Sequence, residues 1–256
     1  MTHALKFAGR VALVTGGSSG LGSAISRKLA AEGARVCIHY HQSEARARQL
    51  AEELAGLPQA ADLRLEAEAR GLVEACLQHF GRLDILVNNA GWSKRVEASD
   101  LDGLDDEVFE RTLKLKIHAP VYCIRAAREA LASMGRGSVV NITSVAGIAA
   151  KGSSVIYAAA NAALSNLTRS LARGLAPEIR VNAVAPGFVE TGWIWPADGR
   201  ARERIALNNY IQRTITPEEV AAAVCYLTEA TGITGEELVI DGGIGRLGVN
   251  RKPYPA

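Results

Sequence analysis

A glycine-rich turn stands between the first strand-like run, Arg10–Thr15, and a helical pattern from Leu21 to Ala31: Thr15-Gly16-Gly17-Ser18-Ser19-Gly20-Leu21-Gly22. Gly16 lets the chain turn sharply. Gly20 brings backbone close to an anion with no Cβ in the way, and Gly22 lets the helix pack against its neighbours. The helix that opens there offers free N–H groups and the positive end of its dipole. Placed after the first strand of a strand–helix–strand unit, the turn predicts a cradle for the pyrophosphate of a dinucleotide, formed by Gly16, Ser18, Ser19, Gly20, Leu21 and Gly22.

The elements that must hold this turn alternate along the chain. Arg35–Tyr40 reads as a second strand and Glu44–Leu54 as a helix; Gly33 ends the first helix as a C-cap would. A short third strand is expected at Gln59–Asp62, a helix at Glu66–His79, and a fourth strand at Leu83–Val87, which runs into Asn88-Asn89-Ala90-Gly91. A loop and helical stretch extends to about Met134. Then come a strand at Ser138–Ile142, an alanine-rich helix at Val155–Leu175, a strand at Ile179–Val184, a helix at Pro217–Leu227 and a last strand at Glu237–Ile240. Such alternation implies parallel pairing, right-handed crossovers and helices on both sheet faces. The expected fold is α/β, one Rossmann-type doubly wound parallel sheet of about seven strands in a single domain over residues 1–256, with a substrate lid at 192–212 and a C-terminal tail at 246–256.

A chain of 256 residues with 48% hydrophobic and 22% charged residues can build one such core. Its net charge of +2, with both signs interspersed, lacks the basic stripe that a phosphate backbone requires, so no nucleic-acid partner is expected. Cys37, Cys76, Cys123 and Cys225 are far apart and form no CxxC pair, so they are read as small buried thiols, with neither metal site nor disulfide framework expected. No apolar run is long enough for a membrane span, Met1–Gly9 has no apolar leader core, and a cytoplasmic location is the expectation.

The glycine spacing of three residues and then one differs from the commonest dinucleotide fingerprint. Together with Asn88-Asn89-Ala90-Gly91, Ser144, Tyr157-Ala-Ala-Ala-Asn161 and Pro186-Gly-Phe-Val-Glu-Thr191, in this order, it resembles the short-chain dehydrogenase/reductase family over roughly Arg10 to Gly243. That resemblance implies an NAD(P)(H)-dependent oxidoreductase that moves a hydride between nicotinamide and a carbonyl or alcohol. It further implies that Asn89, Ala90 and Gly91 lie against the adenosine ribose, that Asp62 with Leu63 meets the adenine, and that Pro186, Gly187, Val189 and Thr191 hold the nicotinamide.

The end of the second strand bears on which dinucleotide is used. A carboxylate there would accept from the ribose hydroxyls and repel a 2′-phosphate. The chain has none in Tyr40-His41-Gln42-Ser43, and Ser43 opens a helix where a phosphate would be welcome. The Ile38–Ser43 stretch is similar to the HYHRS segment of NADPH-using pteridine reductases, with Gln42 in place of the arginine. NADP(H) is expected over NAD(H), with Tyr40, His41, Gln42 and Ser43 around the 2′ position.

Hydride transfer at a carbonyl carbon leaves an oxygen that needs a proton. A tyrosine can serve if a nearby cation lowers its pKa from about 10. The family resemblance assigns this work to Tyr157, with Ser144, thirteen residues earlier, orienting the carbonyl. The family's lysine, four residues after the tyrosine, is here Asn161. The family's asparagine, on an earlier helix, aligns with Lys116. Lysine and asparagine are exchanged between the two helices, and Lys116 is expected to supply the missing ammonium while Asn161 meets the nicotinamide ribose. The alternatives are that Lys114 takes this place, or that Lys116 is an ordinary surface lysine and the protein is a silent dinucleotide-binding sensor or scaffold.

Trp92–Arg95, Val145–Ser154 and Thr191–Asn209 are expected to line the cleft for a small-molecule substrate, with Trp193 and Trp195 in the lid over an apolar or aromatic ring, and Lys94 and Arg95 available to an anionic one. The family resemblance also implies a homotetramer assembled through the Tyr157–Leu175 helix and the long helix before it.

Overall fold

The structure is a computed structural model that describes residues 5–191, 203 and 206–248, so most of the expected lid, with Trp193 and Trp195, and all of the tail beyond Gly248 lie outside the described residues. Strand β1 (Val11–Val14) is wholly buried and reads as an unbroken apolar run, as a parallel strand covered on both faces should. Its side chains alternate between two cores. Ala12 and Val14 meet Ile25 and Leu29, whereas Val11 and Leu13 face Leu72, Val73 and Cys76 on the other side of the sheet.

The chain continues through α1 (Gly20–Ala31), β2 (Arg35–Tyr40), α2 (Glu44–Leu54), β3 (Leu57–Ala60), α3 (Glu66–Phe80), β4 (Ile85–Asn88), α4 (Asp106–Leu113), a π-helical turn (Lys114–His118), α5 (Ala119–Ala132), β5 (Gly137–Ile142), α6 (Ala146–Ala149), α7 (Val155–Leu175), β6 (Ile179–Pro186), α8 (Pro217–Glu229), β7 (Glu237–Ile240) and α9 (Ile244–Leu247). The seven strands form one parallel sheet in the order β3-β2-β1-β4-β5-β6-β7. The order reverses between β1 and β4, which opens a crevice at their carboxyl ends. The glycine turn and the Asn88–Gly91 segment leave the sheet at that point.

One sequence expectation is corrected and a second is refined. Strand β3 is Leu57–Ala60 and not Gln59–Asp62. It is the edge strand, where Pro58 is tolerated, and the Asp62 carboxylate instead accepts from the Arg64 N–H in a tight turn. The chain from Ile244 to Leu247 is a helical turn, so the first residues of the expected C-terminal tail, Arg246 and Leu247, are helical. Its Leu247 N–H and Gly248 N–H bond back to Gly243 and Ile244, which satisfies the carbonyls there.

Candidate active site

The glycine turn is tied on both sides. Thr15 Oγ1 accepts from the Asn89 and Ala90 N–H groups at 2.9 and 3.0 Å, and Asn89 Nδ2 donates to the Thr15 and Gly16 carbonyls at 2.9 and 3.1 Å. On the other side the Gly16 N–H donates to His39 Nδ1 at 2.8 Å and the Gly17 N–H to the His39 carbonyl at 2.9 Å. Among the described residues, the N–H groups of Ser18, Ser19, Gly20, Leu21 and Gly22 have no acceptor. Two glycines are required by space. Gly16 has φ +61°, and a Cβ on Gly22 would stand 2.0 Å from the Gly16 carbonyl oxygen. A row of free donors at a helix N-terminus fits a pyrophosphate.

One cleft of about 1340 Å³ runs from this turn across the carboxyl ends of the sheet, and every residue named above for the cofactor except Asn161 lines it. Ser144, Tyr157 and Lys116 line it as well. Asn161 lies behind that surface, with no exposure, and donates from Nδ2 to the Tyr157 carbonyl at 2.8 Å. Its Oδ1 is buried and has no hydrogen-bond partner among the described residues. An orphaned buried acceptor of this kind is costly unless a ligand donor completes it, and a ribose hydroxyl is such a donor.

Each side chain of the cluster is aimed by a local device. Ser144 follows β5, and its Oγ accepts from the Ala146 N–H at 3.2 Å as α6 begins. Ser154 caps α7 by accepting from the Tyr157 N–H at 3.2 Å, fixing the first turn that carries Tyr157. Lys116 sits at the centre of the π turn. Pro120 explains the turn: it has no N–H to give the Lys116 carbonyl, and its ring would clash with that carbonyl in a regular α-helix. The helix widens there, and the cap N–H of Ala119 bonds instead to the Lys114 carbonyl.

Lys116 is buried, with only 4% of its surface exposed. Its Nζ donates to the Ile142 carbonyl at 2.9 Å and stands 5.7 Å from the centroid of the Tyr157 ring. It also packs beside Gly91, where a Cβ would stand 3.7 Å away, an ordinary contact distance. Lys114, its competitor in the sequence, does not line the cleft. Burial lowers the Lys116 pKa to about 8. Burial also raises that of Tyr157, while hydrogen bonding with the Ser144 and Asn161 side chains acts the other way.

Asp62, which lines the cleft, also carries an ion pair of its own. It holds Arg64 through both oxygens, at 3.0 Å or less, and this hydrogen bonding lowers its pKa to about 2. Toward the substrate end, Arg111 stacks on the Trp92 ring at 4.4 Å. Lys94 pairs with Asp105 and Arg95 with Glu97 in solvent-exposed ion pairs, and of the two cations considered for an anionic substrate Arg95 lines the cleft. Among the cleft-wall residues not foreseen are His39 and Arg46. His39 was passed over within its motif. Arg46 sits on the first turn of α2, three residues after Ser43, and pairs with no carboxylate among the described residues. All four cysteines are buried free thiols.

A family model described as enoyl-(acyl carrier protein) reductase matches residues 16–245. The chain is 43% identical over 239 residues to a protein assigned as ketoacyl reductase 2 of the granaticin polyketide synthase of Streptomyces violaceoruber, covering 91% of this chain and 95% of that one. It is 35% identical over 245 residues to the 3-oxoacyl-[acyl-carrier-protein] reductase FabG of Escherichia coli, covering 94% and 99%. Among solved structures, a short-chain dehydrogenase from Burkholderia cenocepacia in complex with NADP superimposes with a TM-score of 0.85 at 35% identity, over 93% of this chain and 98% of that one. With the parallel sheet, the free amides of the glycine turn and these relatives together, the chain belongs to the short-chain dehydrogenase/reductase family of oxidoreductases, enzymes that work with a nicotinamide cofactor.

Proposed function

We propose that the chain reduces a carbonyl, or oxidises the corresponding alcohol, with NADP(H), and that Lys116 takes the part a lysine at position 161 would play. The observation that carries this is the buried Lys116 ammonium at the Tyr157 ring. Bound nicotinamide supplies or takes up the hydride. Tyr157 donates its hydroxyl proton to the carbonyl oxygen, and Ser144 hydrogen-bonds the same oxygen and orients it. Lys116 stabilises the phenolate that Tyr157 becomes, and Asn161 accepts from the nicotinamide ribose through its orphaned Oδ1. In the alcohol direction the same groups run in reverse.

The preference for NADP(H) is supported by the absence of a carboxylate from Tyr40 to Ser43 and by the uncommitted Arg46 in the cleft wall. Asn89 to Gly91 and Pro186 to Thr191 would hold the ribose and nicotinamide ends. We place the protein in the cytoplasm as a homotetramer built on α5 and α7; among the described residues no helix is long and apolar enough to cross a membrane.

The test is a panel of ketones, oxoesters and alcohols followed by absorbance at 340 nm, with dissociation constants for NADPH and NADH. Turnover with tighter NADPH binding is expected. Tight binding with no turnover on a broad panel would instead favour a silent dinucleotide-binding protein.

A further inference from the structure

His39 belongs to the second-strand motif, yet none of the catalytic or cofactor contacts above uses it. Its ring is buried, with 3% of the residue exposed, although it forms part of the cleft wall. Both ring nitrogens are engaged: Nδ1 stands 2.8 Å from the Gly16 N–H and Nε2 stands 3.0 Å from the Ala61 carbonyl. A backbone N–H can only donate and a carbonyl can only accept. The ring must therefore be neutral with its proton on Nε2, and the tautomer is fixed by its neighbours. One imidazole thus spans the two rims of the adenosine half of the cleft, the glycine turn after β1 and the Ala61–Leu63 segment after β3.

We propose that His39 is a positioning residue for the dinucleotide: by accepting the Gly16 N–H it fixes the glycine turn so that the amides from Ser18 to Gly22 face the phosphates, at a set distance from the adenine side. The Gly16 N–H would otherwise be a sixth free donor at the turn, left with the Gly17 N–H bond to the His39 carbonyl as the tie on that side. Thr15 and Asn89 hold only the β4 side. His39 is the counterpart on the β2 side. Burial, which lowers the His39 pKa to about 4, keeps the ring in the accepting form at neutral pH. The inference rests on the cleft being a dinucleotide site.

The experiment compares three variants for dinucleotide affinity and for kcat at saturating cofactor. His39→Asn puts an acceptor where Nδ1 was. His39→Gln can still donate to the Ala61 carbonyl but has no acceptor for Gly16, and His39→Leu has neither. We expect His39→Asn to bind NADPH and NADH within about threefold of the unaltered protein, and His39→Gln and His39→Leu to bind about tenfold or more weakly, with kcat changed about twofold or less in all three. Equal affinity in all three, or His39→Asn as weak as His39→Leu when both give folded circular dichroism, overturns the assignment. In the unaltered protein, ¹⁵N spectra should show the His39 proton on Nε2 and a through-bond coupling from the Gly16 nitrogen to Nδ1; a proton on Nδ1 also overturns it, whatever the variants do. If the unaltered protein binds neither NADPH nor NADH, the dinucleotide reading itself fails. If it binds and the variants match it, only the His39 assignment does.

Discussion

Lys116 Nζ lies 5.7 Å from the centroid of the Tyr157 ring and donates to the Ile142 carbonyl at the end of β5. The two residues come from facing elements, Lys116 from the π turn and Tyr157 from the first turn of α7. A lysine four residues after the tyrosine would reach the site along α7 itself, and that place is held by Asn161. In the proposed reading the charge comes from across the cleft instead. Away from water, an ammonium so placed would be screened less than a surface charge, and a phenolate formed at Tyr157 would feel it the more.

Replacing Lys116 by Asn should lower kcat about a hundredfold or more while leaving dinucleotide affinity within about threefold, because each unit by which a nearby cation would ease ionisation of Tyr157 corresponds to about 1.4 kcal/mol. The double change Lys116→Asn with Asn161→Lys should recover at least about a tenth of the activity, since it rebuilds the cation on α7. A double variant no better than the single one would falsify the exchange.

The pH–rate profile carries the sign of the same effect. Lys116, lowered by burial to about 8, is charged at pH 7 and loses its charge as pH rises through about 8. Tyr157, raised by burial, keeps the proton needed for carbonyl reduction across that range. Reduction should thus slow above pH 8, measured as kcat with saturating NADPH. Lys116→Arg, charged throughout, should lose this limb of the profile. A profile that stays flat to pH 10 would count against Lys116.

Lys116 also destabilises the fold that holds it. Its folded pKa of about 8 lies below the ordinary 10.5, so the folded state binds the proton less tightly than the unfolded chain. The penalty is complete below pH 8 and disappears as pH rises from 8 to 10.5; at neutral pH it is about 3 kcal/mol, partly offset by the bond to Ile142. Lys116→Met should therefore melt about 3 to 6 °C higher at pH 7 while being inactive, with the gain shrinking toward pH 10.5.

Helices such as α2 and α7 begin and end where apolar periodicity and a polar residue at the N-cap place them, because both signals are local. The glycine turn and the order of its companion motifs were equally legible. Strand β3 was displaced because Pro58 masks an edge strand whose pairing depends on β2. The π turn was not legible: Pro120 marks a disturbance, but the sequence does not say whether the helix breaks, kinks or widens there. Arg46 escaped notice for the reverse reason. On α2 it is one basic residue among several, and only the sheet geometry brings it, unlike Arg48 with its Glu44 partner, to the cleft unpaired.

Arg46→Gln should separate the two dinucleotides. An uncommitted guanidinium near a 2′-phosphate contributes a charge-assisted hydrogen bond of about 1.5–3 kcal/mol, and a ribose hydroxyl gains little from it. NADPH should bind about tenfold or more weakly, and NADH should be unchanged within about twofold, as read by titration of nicotinamide fluorescence. Loss of both in parallel would mean that Arg46 acts on the turn or on α2 and does not discriminate.

His39 makes stability depend on mildly acidic pH. Its folded pKa of about 4 lies below the ordinary 6.5, the first cause being burial, with His41 lowering it further and the Ala61 bond and Asp62 opposing. Asp62 is held by Arg64 and stays charged throughout this range. Between pH 6.5 and 4 the unfolded chain therefore binds more protons than the folded one. The stability attributable to His39 is complete above 6.5 and is lost as pH falls toward 4, by up to about 3 kcal/mol in all and about 2 by pH 5. Urea denaturation at pH 7.5 and pH 5 measures this as a difference, and His39→Asn, which cannot take up the proton, should remove about 2 kcal/mol of that fall. Carboxylates elsewhere contribute equally to both proteins and cancel in the comparison. An unchanged difference in His39→Asn would place the acid sensitivity elsewhere and leave His39 neutral for some reason other than its burial between Gly16 and Ala61.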